Sequence, residues 1–160
     1  MGICSSIAAV GLHLASIHAP GHYTTVETQS VASTPAPGAQ GSAALSISQE
    51  VRRSYNNANP GLYARCNSGI QVGGYYNSER NFTAYASYVK DLRIVGPVSA
   101  WGAVGLATGY ERHRITPIAL VGGKLDLGDR LALRVGYAPK VAKANDTHLV
   151  HFALEWRLGR

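Results

Sequence analysis

The sequence predicts an all-β fold, an eight-stranded antiparallel up-and-down barrel with one long flexible loop, on three observations. Charged residues are 15% of the 160-residue chain while Gly reaches 18 and Tyr 9, a balance poor in helix formers and suited to twisted strands and tight turns. From Leu62 onward, strand-like runs alternate closely with Gly, Pro, Asn and Asp clusters, and no segment of useful length carries a helical period. The last run, Thr147 to Leu158, alternates between two faces: His148, Val150, Phe152, Leu154, Trp156 and Leu158 against Thr147, Leu149, His151, Ala153, Glu155 and Arg157. The length suits one domain with a real core, so residues 1–160 read as a single β-barrel domain.

The first strand is expected from Gly11 to His18, with Leu12 and Leu14 on one face. The surrounding apolar run, Ile3 to Ile17, has no Lys or Arg ahead of it and is broken by Gly11 and His13, so it does not read as an export signal or a membrane-spanning helix. Between Thr24 and Ser48 the composition turns to Ser, Thr, Ala, Gln, Gly and Pro. Such a segment buries too little to offset its ordering entropy and is expected as a mobile loop or arm. Asn56, Asn57, Asn59, Pro60 and Gly61 are turn chemistry leading back into strands.

Seven strands follow. Leu62 to Cys66 is joined through Asn67 to Gly69 to Ile70 to Asn77, and that through Ser78 to Asn81 to Phe82 to Lys90. After the connection Asp91 to Pro97 come Val98 to Tyr110, the turn Glu111 to Arg114, and Ile115 to Leu127 with Pro117 near its start, where proline is tolerated. Gly128 and Asp129 make a two-residue hairpin connection into Arg130 to Ala138, and Pro139 to Asp146 leads to the final strand. Closure into a barrel removes the edges that an open sheet would expose.

The two faces of these strands set large apolar residues against small or charged ones. Leu131, Leu133, Val135 and Tyr137, with Val150, Phe152, Leu154 and Trp156, form a face suited to lipid or to a partner. The opposite face is largely Gly, Ala and Ser with Gln71, Arg134, His151, Glu155 and Arg157, a set suited to a polar network in a narrow lumen. Strands of about 11 residues at roughly 3.3 Å each, tilted by about 45°, cover on the order of 25 Å of hydrocarbon. Short turns on the side of the termini and longer loops opposite agree with that architecture. Eight strands leave room for side chains alone, so no conducting pore is expected.

The chain resembles small eight-stranded outer-membrane β-barrels of bacteria. The resemblance covers Leu62 to Leu158 in pattern and is most specific at His151, Phe152, Ala153, Leu154, Glu155, Trp156, Arg157 and Leu158, which looks like the closing strand such proteins present to their insertion machinery. It implies an outer-membrane location, lipid as partner of the apolar face, and a non-enzymatic role in surface or envelope interaction through the long loop. Asn59 to Tyr63, Tyr76 to Ser78 and Thr108 to Tyr110 are also similar to short uncharacterised proteins of phages and prophages. That second resemblance implies a virion structural or assembly protein, in the virion or the host cytoplasm, whose apolar face meets other copies or virion proteins.

No catalytic, cofactor or metal site is expected. His148 and His151 lie three apart and face opposite sides of a strand, and His151 and Glu155 share a face about 13 Å apart, so a catalytic pairing would need a cross-strand neighbour. Gly122, Gly123 and Lys124 lack the spacing of a phosphate loop and read as a glycine-permitted bulge. Arg52 with Arg53, Arg112 with Arg114, and Lys140 with Lys143 fall in or beside connections and read as solvated charge. The net charge of +6 admits acidic partners, but aromatics interleaved with Arg and Lys are lacking, so nucleic acid is not expected. Tyr75, Tyr76, Tyr85, Tyr88, Tyr110 and Tyr137 are candidates for interface girdles. Two cysteines, Cys4 and Cys66, leave a single bridge open.

Overall fold

A computed structural model describes residues 4, 6–32, 44–111, 113–140 and 147–159. Its strands are β1 (Ile7–Ala19), β2 (His22–Ala32), β3 (Ala44–Ser54), β4 (Ala58–Cys66), β5 (Ile70–Tyr76), β6 (Phe82–Val95), β7 (Val98–Ala107), β8 (Thr116–Asp126), β9 (Leu131–Ala138) and β10 (His148–Arg157). Eight close into a barrel in the order β1-β10-β9-β8-β7-β6-β5-β4. Every adjacent pair is antiparallel, and no helix occurs among the described residues. The fold is the all-β, eight-stranded barrel that the sequence predicts.

The Thr24–Ser48 segment, expected as a mobile loop or arm, contains paired strands. The described parts of it belong to β2 and β3, which pair from His22↔Ser54 to Ala32↔Ala44 as a two-stranded sheet inserted between β1 and β4. Alternating Thr, Val, Ser and Ile supply β propensity that composition alone understates. The tip of this arm lies outside the described residues, as does part of the connection expected from Pro139 to Asp146.

Other boundaries shift for local reasons. β1 starts earlier than expected, at Ile7, and β4 starts at Ala58 and runs through Pro60. β6 continues to Val95, so Asp91 to Arg93 belong to a strand and the connection shrinks to Gly96 and Pro97. The expected bulge at Gly122 to Lys124 is absent, because both ladders of β8 run in unbroken register there, with Ser99↔Lys124 on one side and Lys124↔Arg134 on the other.

The ends of the barrel are unequal. On the side of the termini, β4–β5, β6–β7 and β8–β9 are joined by tight turns, with Gly69, Gly96 and Gly128 at positive φ. The arm and the connections after β5, β7 and β9 lie at the opposite end. Asn77, fully buried, fixes the loop after β5: its side-chain oxygen accepts from the Glu79 and Asn81 amides, and its amide donates to Thr83 Oγ1 and the Gly109 carbonyl.

Alternation along each strand sorts the side chains. Ala9, Tyr63, Gln71, Tyr85, Ser87, Ala103, Lys124, Arg134 and Glu155 are buried inside, whereas Leu12, Leu62, Val72, Leu92, Val104, Val121 and Trp156 are exposed outside. A soluble barrel places its large apolar groups inside. Here Leu62 is 65% and Leu92 69% exposed while Glu155 is 0%.

Candidate functional site

The lumen carries two polar assemblies built from neighbouring strands. Toward the end of the termini, Arg65 of β4, Asp91 of β6, Lys124 of β8, Arg134 of β9 and Glu155 of β10 form a plug. Glu155 accepts from Arg65 Nη2 at 2.6 Å, from Arg134 Nη1 at 2.9 Å and from the Tyr63 hydroxyl at 3.2 Å. Asp91 accepts from Arg65 at 3.1 Å, Lys124 at 2.7 Å and Arg134 at 3.1 Å. Three cations thus share two carboxylates, and the Arg134 guanidinium also lies 4.4 Å from the Trp101 ring centre.

The second assembly lies nearer the arm. Ser16 Oγ is 3.0 Å from His151 Nδ1, His151 Nε2 is 2.8 Å from His13 Nδ1, His13 Nε2 is 2.9 Å from the Tyr85 hydroxyl, and Gln71 donates to that hydroxyl at 2.7 Å. His13 is in ring contact with Tyr63, Tyr75, Tyr85 and His151. These groups border a cavity of about 640 Å³ whose wall also includes Tyr75, Trp101, Ile118 and Arg134 and whose rim includes Tyr23, Thr25, Tyr55 and Glu111. The lumen is therefore filled by side chains at one end and hollow toward the other. Among the described residues no group of three or more His, Cys, Asp or Glu could hold a metal ion.

Close packing of the wall uses glycine as a recess. A Cβ on Gly11 would collide with the Tyr63 ring, and one on Gly136 would lie 2.9 Å from the Trp101 ring. Tyr63 and Trp101 can lie flat against the barrel wall because those positions have no side chain.

The residues expected in a lumen network fall into three groups. Arg134 and Glu155 belong to the plug, and Gln71 and His151 to the hydrogen-bonded chain. Arg157 sits at the rim, donating to Asp126 at 3.3 Å and to the Gly128 carbonyl at 2.9 Å. Leu131, Leu133, Val135, Tyr137, Val150, Phe152, Leu154 and Trp156 alternate with the buried residues and lie on the outer wall. Of the tyrosines expected in interface girdles, Tyr76, Tyr88 and Tyr137 are on the outer wall, but Tyr75, Tyr85 and Tyr110 border the cavity instead. Tyr75 and Tyr110 bond through their hydroxyls at 2.6 Å, and burial raises the Tyr110 phenol well above its ordinary value.

Sequence reasoning missed Arg65, Asp91 and Lys124 in the plug and Ser16 and His13 in the chain. Asp91 had been assigned to a turn and Lys124 to a bulge, and Ser16 is 135 residues from His151. The alternation of β8 and the Asp at the end of the alternating run Phe82 to Lys90 were available signals for the plug. Cys4 and Cys66 form a disulfide, with Cα atoms 5.4 Å apart, tying the segment before β1 to the end of β4.

No protein-family model matches the chain, and no curated protein matches it. A solved structure described as "De novo design of transmembrane beta-barrels" is similar over 97% of this chain and 99% of the other, with a TM-score of 0.56 and 11% identity. The Neisserial surface protein A (NspA) crystal structure is matched over 95% and 96% of the two chains at a TM-score of 0.35 and 12% identity, too low a score to add to the argument. The first likeness shows a shared β-barrel fold. Nothing in either comparison supports the phage or virion reading.

Proposed function

We propose that the chain is a barrel of outer-membrane type that holds its β2–β3 arm at the membrane surface for surface or envelope interaction. The observation that carries the reading is the inverted distribution of polarity: charged side chains fill the lumen and large apolar side chains cover the outer wall. In water such an exterior would be a contiguous apolar surface far larger than soluble monomers carry, whereas in hydrocarbon it is the favourable face. Closure supports the same reading, because each barrel strand has a hydrogen-bonded neighbour on both sides and leaves no edge in the bilayer. The Cys4–Cys66 bridge is consistent with an oxidising compartment such as the bacterial periplasm and cell surface.

The arm suits recognition. It lies at the end opposite the termini, and among the described residues each of its two strands has one edge without a strand partner, able to accept an extended segment. The test is expression with and without detergent, followed by size-exclusion chromatography with light scattering. A folded, β-rich monomer in detergent and aggregation without it is the expected result; a soluble monomer or defined oligomer without detergent would overturn the lipid-facing exterior.

A further inference from the structure

We propose that the lumen pocket is an acyl-ester hydrolase site in which Ser16 is the nucleophile and His151 the general base. This activity goes beyond the proposed anchoring role and does not depend on the membrane. The decisive feature is a bulge in β1. The β1–β10 ladder pairs His13 with Ala153 but Ala15 with Phe152, so Leu14 is an extra residue. An unbroken ladder would set Ala15 opposite His151; the bulge sets Ser16 there and turns its hydroxyl toward Nδ1 at 3.0 Å. His151 is held from its other nitrogen by His13, and His13 by Tyr85, which Gln71 holds in turn. With Ser16 donating to His151 Nδ1, His151 Nε2–H to His13 Nδ1 and His13 Nε2–H to the Tyr85 oxygen, the donors run in one direction from Ser16 to Tyr85. Nucleophile, base and orienting group are then all in place. His13 and Tyr85 are positioning residues in this scheme.

In the first step Ser16 Oγ attacks the ester carbonyl carbon while His151 Nδ1 takes the hydroxyl proton. The bond from that carbon to the alcohol oxygen breaks, and His151 returns the proton to the departing alcohol. A water molecule then loses a proton to His151, attacks the acyl-serine and releases a carboxylic acid, with the proton returned to Ser16. The pocket limits the substrate. About 640 Å³ holds a small organic molecule, its wall includes the rings of Tyr63, Tyr75, Tyr85 and Trp101, and the plug closes it below, so entry is from the aqueous side at the arm end. Water-soluble short-chain esters can reach the pocket by that route, whereas esters held in the bilayer or in micelles by long chains do not.

The test uses the full chain folded in detergent, with its fold checked by heat-dependent gel migration. A fluorophosphonate probe should phosphonylate Ser16, identified by peptide mass spectrometry, and Ser16→Ala should abolish it. p-Nitrophenyl butyrate should be hydrolysed and p-nitrophenyl palmitate should not. His151→Gln should slow labelling on the order of 100-fold or more, and Tyr85→Phe should slow it less and shift its pH profile. If either variant fails to fold, the wild type and Ser16→Ala decide the matter. Absence of label at Ser16 in a folded barrel, or butyrate hydrolysis unchanged by Ser16→Ala, would overturn the proposal.

Discussion

Arg134 and Glu155 are joined across a diagonal of the β9–β10 ladder: the register pairs Arg134 with Ala153 and Glu155 with Ala132, yet Arg134 Nη1 donates to Glu155 at 2.9 Å. Glu155 also accepts from Arg65, so its loss would leave Arg65, Lys124 and Arg134 sharing Asp91 alone. Removing one partner of a buried ion pair costs about 3–5 kcal/mol. Glu155→Ala is expected to lose stability on that order in denaturant unfolding of the detergent-folded barrel. Asp91→Asn should cost less, because Asp91 is more exposed than Glu155.

Tyr63 reaches Glu155 by lying across Gly11, where a Cβ would collide with its ring. Gly11→Ala therefore displaces Tyr63 from the plug. Overpacking of this kind costs about 1–3 kcal/mol. Gly123→Ala, whose Cβ would meet nothing within 4 Å, is the control and should leave the unfolding midpoint nearly unchanged.

The Cys4–Cys66 bridge spans a sequence separation of 62 residues that includes the whole arm. Loop-closure entropy sets its contribution at up to about 4 kcal/mol. Reduction or Cys66→Ser is expected to lower the unfolding midpoint while the barrel still forms, because β1 remains paired with β4 through its backbone. Thermal unfolding with and without reductant, with thiol alkylation as the check on the bridge, measures this.

How far the sequence led depended on whether a feature was periodic. Alternation over His148 to Trp156 and Leu131 to Tyr137 identifies strands and assigns their faces, since the period of 2 is fixed by the backbone. The plug was half legible: Arg134 and Glu155 alternate with apolar neighbours, but Asp91 is followed by the irregular run Leu92 to Val95, which hides its face. Ser16 was not legible at all. The Leu14 bulge reverses the parity of β1, and nothing in Leu12, His13, Leu14, Ala15 and Ser16 marks where the extra residue falls. The segment reads as a mobile loop or arm, and the strands of the arm were not legible because their pairing is satisfied within the arm and not by an apolar face.

The two tryptophans report the inside and the outside separately. Trp156 is 48% exposed on the outer wall, and Trp101 lies inside against Arg134. In vesicles containing brominated lipid, Trp156 fluorescence in a Trp101→Phe variant should be strongly quenched, while Trp101 fluorescence in Trp156→Phe should be nearly unaffected. Equal quenching of both would contradict the assignment of faces.

Leu154 tests the solvent of the outer wall most directly. It pairs with Leu12 on one side and Leu133 on the other, near the middle of β10, whereas Val150 pairs with Ile17 and Tyr137 toward the arm end. An arginine facing hydrocarbon at the midplane costs about 2–4 kcal/mol and close to an interface about 0–1. Leu154→Arg should therefore destabilise the vesicle-inserted barrel much more than Val150→Arg, as read from denaturant unfolding. A soluble barrel would tolerate both substitutions, since a guanidinium on a water-facing wall loses no hydration. The gradient from Leu154 to Val150 thus separates lipid from water as the medium around the same outer face.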